Sequence, residues 1–164
     1  MYNVNDIVVY SPNGVCRIDE ITKHDFSGEP IEYYVLHPVS GGKNTYYVPT
    51  HNGDLASHMR RTLSPDEIKE LLKNINDTGI VSIDNENEKR EQYKTALKNG
   101  DCGQLLKLVK ALYITRHDRN IHKKKLNSSD EHFLKDAENL LCDEFSYVLN
   151  ISKEQAFSYI RENI

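Results

Sequence analysis

Few residues in the sequence combine the types and the spacing that catalysis requires. Cys16 and His37 fall on neighbouring predicted strands, where a thiol and an imidazole could form a nucleophilic pair, although such pairs are more often structural. His51, Asp54 and His58 are spaced as metal ligands could be, and an ordinary polar loop explains them as well. Motifs for nucleotide phosphates, zinc proteases and serine hydrolases are absent from the sequence. We therefore predict a non-enzyme with no catalytic residue, no metal and no cofactor.

Aromatic pairs suggest binding chemistry instead. Tyr33-Tyr34 and Tyr46-Tyr47 each lie in a predicted strand, where successive side chains point to opposite faces. One ring of each pair is therefore expected in a core and the other outside, either on a binding face or as a ring that merely covers the surface. An unpaired strand edge in the same region could accept a partner strand through main-chain hydrogen bonds.

Basic residues form the second candidate binding group. Spaced cations could follow the phosphates of DNA, and a solvated helix face or loop explains them equally well. The densest run lies in residues 116–125, which we predict to be a connector between two helices. The candidates for DNA contact are Lys89, Arg90, Lys94, Arg116, Arg119, Lys123, Lys124 and Lys125.

Composition narrows the functional classes. The 164 residues carry a formal net charge of −4, which argues against a protein that holds nucleic acid by bulk charge alone, and there is no Trp. No apolar run is long enough for a membrane span, and the first residues do not read as a secretory signal. Three widely spaced cysteines indicate reduced thiols rather than disulfides or zinc, so we expect a cytoplasmic protein with no membrane partner.

The elements that must position these groups change type near residue 61. Short β-branched and aromatic runs at 6–10, 15–22, 31–37 and 45–48 are separated by turn residues and predict a small antiparallel β-barrel. From Ser64 the apolar period becomes helical and predicts a bundle of about five helices. The predicted class is α+β, with one domain at 1–61 and a second at 62–164.

Capping residues mark where the helices begin and end. Ser64 with Glu67, Asp101, and Ser152 with Gln155 are expected N-terminal caps, and residues 128–131 are expected to form a further capping box. The first helix of the bundle is expected to end at 76–79, followed by a short apolar piece at 80–83.

The first half of the chain resembles the N-terminal module of the CarD/CdnL transcription regulators. Residues 5–15 (NDIVVYSPNGV) are similar to the G-D-x-V-V-Y-P-x-x-G-V block that opens this module. The segments IEYYVL at 31–36 and YYVPT at 46–50 fit the same module. The exit HMRR at 58–61 resembles the point where these proteins leave it.

The second half continues the resemblance. YKTALKNGD at 93–101 and LVKALY at 108–113 are similar to a family helix that ends in "sGD" and to the "vvrdLy" that follows. LNSSDEHFLKDAENLL at 126–141 lies where the family has a further helix. The order and spacing of these motifs over nearly the whole chain make the resemblance specific, more than any single motif does.

The resemblance implies a Tudor-like barrel that binds the β-subunit lobe of RNA polymerase by strand-to-strand extension. It also implies a helical domain that lies against promoter DNA at the upstream edge of the transcription bubble and modulates the stability of the open complex. No small-molecule substrate is implied. The positions that correspond to the polymerase contact are Lys23, His24, Tyr46, Tyr47 and Val48.

Three departures from the family pattern affect these expectations. A Trp that wedges into the DNA fork in relatives would fall at residues 85–87, where this chain has Asn-Glu-Asn and so no apolar wedge. Basic positions of relatives align with Asp130, Glu131 and His132, and an Arg position aligns with Tyr47. We therefore keep a second hypothesis open, in which the chain is an adaptor that binds polymerase or another protein and whose helices bind protein rather than DNA.

Overall fold

The computed structural model describes residues 1–51, 53–77 and 84–164. The chain divides into two compact units, Met1–Thr62 and Leu63–Ile164. The class is α+β, as predicted: a five-stranded antiparallel sheet lies in the first unit and a group of helices in the second. Within the described ranges six helices occur, because a one-turn helix in the first unit adds to the five of the second.

The sheet of the first unit is open. Its strand order is β4-β3-β2-β1-β5, so β4 and β5 are its two edges. The prediction of a closed barrel was wrong for the described residues. Closure requires the two edge strands to pair with each other, and β4 and β5 do not. The elements are β1 (Ile7–Tyr10), β2 (Gly14–His24), β3 (Ile31–Pro38), β4 (Tyr46–Pro49), α1 (Gly53–Ala56) and β5 (Met59–Arg61).

A β-bulge in β2 changes which side chains share a face. The register with β3 shifts between Ile18 and Glu20, so one extra residue, Asp19, lies on the β2 side. An inserted residue reverses the alternation of side chains beyond it, so residues three apart across the bulge lie on the same face. Ile18 and Ile21 pack against the same core cluster.

The core of the first unit lies on one face of the sheet. Its buried members are Val8, Cys16, Ile18, Tyr34, Leu36, Val48 and Met59, and Tyr46 packs against their margin. Tyr47 is exposed on the other face, as its pair predicted. For the other pair the prediction was wrong, because Tyr33 is also buried although it points away from this cluster.

The second unit consists of five helices with locally encoded ends. Ser64 and Glu67 form a reciprocal capping box, Asp101 caps α4, and Ser152 with Gln155 forms the box that opens α6, all as predicted. The elements are α2 (Pro65–Asp77), α3 (Glu86–Asn99), α4 (Cys102–Ile121), α5 (Ser128–Leu149) and α6 (Lys153–Asn163). The predicted apolar piece at 80–83 and the expected helix end at 78–79 lie outside the described residues.

Two boundaries differ from the prediction. α4 continues through Ile121, so the first part of the predicted connector at 116–125 is helical. No Gly or Pro interrupts residues 116–121, and the helix therefore has no local reason to stop there. The N-cap of α5 is Asn127, whose Oδ1 accepts the N–H of Asp130 at 2.8 Å, rather than Ser128. Asn is as good an N-cap as Ser, so the start moves by one residue.

A single apolar core joins the helices of the second unit. Leu105, Leu106 and Leu112 of α4 are fully buried against Leu141 and Phe145 of α5. In the described ranges, none of the helices combines the length and the apolar character that crossing a membrane would require.

Candidate interaction surfaces

The Cys16–His37 pair does not form. Cys16 is fully buried in the core of the first unit, whereas His37 lies on the opposite face of the sheet. Its Nδ1 contacts the Asp19 carboxylate at 2.8 Å and its Nε2 lies 2.9 Å from the Thr45 hydroxyl. The hydrogen bond from Arg17 is the main reason that the pKa of Asp19 lies below its usual value. In the pairing of β2 with β3, His37 lies opposite Arg17, the neighbour of Cys16, so the side chains of His37 and Cys16 leave opposite faces of the sheet. The interpretation as a nucleophilic pair was therefore wrong.

The candidate metal ligands do not converge either. Across the described ranges, no three His, Cys, Asp or Glu side chains come together in a way that could hold a metal ion. Asp54 lies in the one-turn helix α1, and His51 and His58 flank this helix on either side.

The first surface is an exposed ring cluster on the outer face of the sheet, which we call the ring patch: His24, Phe26, Tyr33 and Tyr47. The His24 and Phe26 rings stack at 5.2 Å, and Tyr47 meets both edge-on at 5.2 and 5.4 Å. Tyr33 lies beneath them, 5.3 Å from Phe26. Phe26 is 62% exposed and Tyr47 is 41% exposed, so the cluster presents apolar ring surface to solvent.

Phe26 is the member that sequence reasoning missed. It lies in the turn between β2 and β3, where Asp25 Oδ1 accepts the N–H of Gly28 at 2.6 Å. The aromatic side chain beside Ser27-Gly28 is visible in the sequence, but its contact with β4 is not. The turn brings the Phe26 ring back over β4, a contact between segments about twenty residues apart.

The open edge of β4 adjoins the ring patch. The N–H of Thr50 donates to the carbonyl of Glu32 at 3.0 Å, which fixes the hydrogen-bonding phase of the β3–β4 ladder. In an antiparallel ladder, directly opposed residues alternate between hydrogen-bonded and non-hydrogen-bonded pairs. Counting from the hydrogen-bonded pair Thr50–Glu32, the pair Tyr47–Val35 is not hydrogen-bonded. The main-chain N–H and C=O of Tyr47 therefore point to the open edge. Pro49 is the next residue of β4 whose main-chain nitrogen faces the open edge, where the missing N–H is tolerated.

The five predicted polymerase contacts differ in what they offer. His24 and Tyr47 meet in the ring patch, whereas Lys23 is exposed but leaves β2 on the opposite face of the sheet. Tyr46 packs against the core of the first unit, and Val48 has no exposed surface, so its side chain cannot touch a partner.

The second surface is the end of the second unit that carries most of the predicted DNA contacts. α3 and α4 are joined by two residues and α4 and α5 by six, as antiparallel helix pairs are. Lys89 near the start of α3 approaches Asp130 at the start of α5 to 3.5 Å, so these two helix starts lie beside each other. The C-terminal end of α4 leads directly into α5 at the same end. We call residues 116–125 the α4 tip.

The α4 tip ends in a Schellman motif with a lysine at its left-handed position. The N–H of Lys124 donates to the main-chain carbonyl of Arg119 at 2.8 Å, and the N–H of Lys123 donates to the main-chain carbonyl of Asn120 at 3.0 Å. Lys123 has φ of 55°, a conformation that usually belongs to Gly. Arg119 Nη1 donates to the carbonyl of Lys125 at 3.0 Å, so a side-chain hydrogen bond also fixes the chain that follows α4.

A shallow cleft opens at the α4 tip. Its volume is about 310 Å³, and three of its five lining residues are Arg119, His122 and Lys124, with Thr115 and Asp118 completing it. Ile121 beside it is 65% exposed. Basic side chains around a concavity can hold a phosphate, and an exposed apolar residue can contact a base.

The eight predicted DNA contacts divide into a clustered set and a separate set. Arg119 and Lys124 line one cleft at the α4 tip, and Arg116, Lys123 and Lys125 belong to the same stretch of chain. Arg116 lies over the Tyr113 ring at 4.9 Å, and Arg90 is exposed on α3. Lys94 is exposed and pairs with Glu91 at 3.2 Å, about two turns from the start of α3.

Lys89 differs from the rest because its charge is turned inward. Its side chain is only 15% exposed and contacts Glu86 at 3.1 Å and the buried Asp130 at 3.5 Å. Asp130, one of the acidic departures from the family, is thus an internal ion-pair partner and not an acidic point on the surface. Burial, followed by the charge of Asp130, raises the pKa of Tyr93 beside it to about 12.

The wedge position at 85–87 is occupied by the start of α3. Asn85 Oδ1 accepts the N–H groups of Asn87 and Glu88 at 3.0 and 3.2 Å, so its side chain is used as an N-cap. Only polar side chains are available there, as the sequence indicated.

Comparison with known families gives a match for each unit. Residues 2–63 match the family model described as "CarD-like/TRCF RID domain", and residues 70–161 match "CarD, C-terminal domain". The second match alone covers more than half of the chain. No curated protein matches the chain significantly.

Proposed function

Because the chain belongs to the CarD/CdnL family of RNA-polymerase-interacting, non-enzymatic transcription factors, we propose that it binds the β-subunit lobe of RNA polymerase and modulates promoter open complexes. The first unit binds the lobe, and the second unit contacts promoter DNA near the upstream edge of the bubble. Such a factor acts in the bacterial cytoplasm, where polymerase and promoters are.

The open edge of β4 is the observation that carries the proposal. Tyr47 directs its main-chain N–H and C=O away from β3, so a strand of the lobe can extend the sheet there. The ring patch beside this edge supplies side-chain surface to the same partner. β4 is short and Pro49 lacks an N–H, so the main-chain pairing centres on Tyr47, and the exposed rings beside it add the contact surface that favours docking.

A direct binding measurement tests the docking. The full chain is titrated against the isolated β-subunit lobe of the same organism, and the Tyr47→Glu and His24→Glu variants are compared with the unchanged chain. We expect each variant to weaken binding about tenfold or more, because a carboxylate replaces ring surface at the contact. Asn13→Glu, in the exposed turn between β1 and β2, is the control and should bind normally. Equal binding by all four proteins would contradict the docking site.

The DNA half of the proposal rests on the α4 tip. Residues 116–125 carry five Lys and Arg side chains on an acidic chain, and hydrogen bonds fix the backbone that follows α4, so a local positive charge is available for phosphate contact. Simultaneous Lys→Glu changes at 123, 124 and 125 should remove the effect of the chain on a polymerase–fork-junction complex, read by fluorescence anisotropy. The control is Lys98→Glu, an exposed position in the last turn of α3 that is not among the candidate DNA contacts. An unchanged signal in the triple variant would exclude DNA contact at the α4 tip.

A specific observation favours the adaptor as the second candidate. Residues 85–87 form a polar helix start whose Asn85 side chain is already engaged, so no wedge can act there. If the lobe is bound but DNA and the lysines of the α4 tip make no difference, the helical unit of this chain binds protein instead. The two candidates therefore separate in the same anisotropy experiment.

A further inference from the structure

The ring patch constrains the side chain that a docked strand presents. We propose that the strand added to β4 places an apolar side chain against Phe26 and Tyr47, so that the contact is hydrophobic and contains no ion pair. This inference rests on the proposed docking of the first unit and names the chemistry of the partner at that site.

The ladder phase determines which partner residue is involved. A strand paired with β4 exchanges hydrogen bonds with Tyr47, since the main-chain groups of Tyr47 point to the open edge. The partner residue directly opposite Tyr47 has its side chain on the same face as the Tyr47 ring. That face also carries the His24 and Phe26 rings within 5.4 Å of the Tyr47 ring, so the incoming side chain lies beside an aromatic surface.

The chemistry of the patch selects an apolar occupant. Phe26, Tyr33 and Tyr47 contact one another edge-to-face. A carboxylate placed against these ring faces would lose hydration and meet the negative face of the ring quadrupole. Asp25, a carboxylate on the same turn as Phe26, accepts the N–H of Gly28. Lys23 is the neighbour of His24 along β2, so its side chain leaves the strand on the opposite face.

Salt dependence separates this contact from an ion-paired one. The dissociation constant of the full chain and the isolated lobe of the same organism is measured between about 50 and about 500 mM NaCl, over which the screening length falls severalfold. We expect a change smaller than about twofold, because a hydrophobic contact is not screened. Weakening by about tenfold or more would show that ion pairs hold the complex and would overturn the inference.

Substitutions at the two rings give an independent readout. Tyr47→Phe keeps the ring and should bind within about twofold of the unchanged chain, whereas Tyr47→Arg should bind about tenfold more weakly. Phe26→Ala should also weaken binding about tenfold, and its control is Ile114→Ala, an exposed apolar residue of the second unit that should have no effect. Tighter binding by Tyr47→Arg, or normal binding by Phe26→Ala, would overturn the inference.

The outcomes distinguish the two levels of the argument. If the unchanged chain does not bind the lobe at all, the proposed docking fails and this inference fails with it. If the chain binds but the ring variants or the salt series contradict a hydrophobic contact, the docking stands and only the inference is overturned. Circular dichroism of each variant identifies any loss of binding that comes from unfolding.

Discussion

At the scale of single residues, the Lys89–Asp130 pair shows a cation that belongs to the fold rather than to a binding surface. Asp130 also accepts from Asn127 Nδ2 at 3.3 Å, so it joins the starts of α3 and α5. Asp130→Asn should lower the free energy of unfolding by about 1 to 3 kcal/mol, because the largely buried Lys89 ammonium loses its buried carboxylate partner and keeps only the exposed Glu86. Chemical denaturation measures the change.

The matched control for this pair is the exposed Lys94–Glu91 contact. Lys94→Met should alter stability by no more than about 0.5 kcal/mol, since both partners remain hydrated without each other. A double-mutant cycle of Asp130→Asn with Lys89→Met gives the coupling directly. If Asp130→Asn is as harmless as Lys94→Met, Lys89 is free to bind elsewhere and our assignment is wrong.

The Cys142 thiol gives a prediction about pH. Burial, helped by the nearby Glu138 carboxylate, raises the pKa of Cys142 from 9.0 to about 11. The unfolded chain therefore releases this proton first, and stability falls as the pH rises from about 9 to about 11, with an upper bound of about 1.4 kcal/mol per pKa unit. Below pH 9 the full contribution is present.

Denaturation at pH 8, 10 and 11 tests this assignment on the unchanged chain and on Cys142→Ala. The unchanged chain should lose more stability than the variant over this interval, because the variant has no thiol to ionise. Parallel losses in the two proteins would mean that Cys142 ionises as easily in the folded state as in the unfolded one.

At the scale of elements, the α4 tip places a charged residue, Lys123, at a backbone position where Gly would be more stable. Lys123 adopts a left-handed conformation that costs a residue with a Cβ about 1 kcal/mol relative to Gly. Lys123→Gly should therefore raise the free energy of unfolding by about this amount while weakening the DNA-dependent signal. Lys124→Gly removes the same charge at a position without positive φ, so it should not stabilise the fold. Stabilisation by both variants, or by neither, would contradict this account.

The edge of β4 gives a prediction from the ladder phase. Tyr47→Pro removes an N–H that points away from β3, so hydrogen exchange of the β3–β4 amides should stay slow while lobe binding falls by about tenfold or more. Val48→Pro removes an inward N–H and should release the same amides. Tyr47→Ala separates loss of the ring from loss of the N–H, because it keeps the donor. Rapid exchange in Tyr47→Pro would show that the phase is reversed.

These elements also show how far local sequence information reaches. Starts of helices were predictable at Ser64, Asp101 and Ser152, because a cap and its helix are neighbours in sequence. The end of α4 was not, because a lysine holds the left-handed position that Gly usually marks. The inserted Asp19 in β2 was equally hidden, since a bulge shows in the pairing with β3 and not in β2 alone.

The candidate sites divide in the same way. Tyr47 and the cations of residues 116–125 were predictable, because an aromatic pair in a strand and a charge run are visible in sequence. Phe26 was not, since its contact with Tyr47 joins a turn to a strand about twenty residues later. The inward turn of Lys89 was hidden as well, because Asp130 lies 41 positions away in sequence.

At the scale of the whole molecule, two compact units in one chain make linkage itself a functional feature. The first unit carries the open edge and the second carries the α4 tip, and each has its own core. If the lobe holds the first unit, the second unit is confined near promoter DNA at an effective concentration that reaches about the millimolar range for short linkers. A weak DNA contact on an acidic chain is then sufficient.

If the two units are cut apart, we therefore expect the effect on the open complex to be lost even when both are present. Fragments 1–62 and 63–164, mixed with polymerase and promoter at the concentration of the full chain, should give less than about a tenth of its effect on open-complex lifetime, because the second fragment no longer benefits from tethering. Fragment 1–62 should still displace the full chain from the lobe, and circular dichroism of both fragments confirms that they are folded. Full activity of the mixture would mean that the helical unit has its own strong target, as the adaptor hypothesis requires.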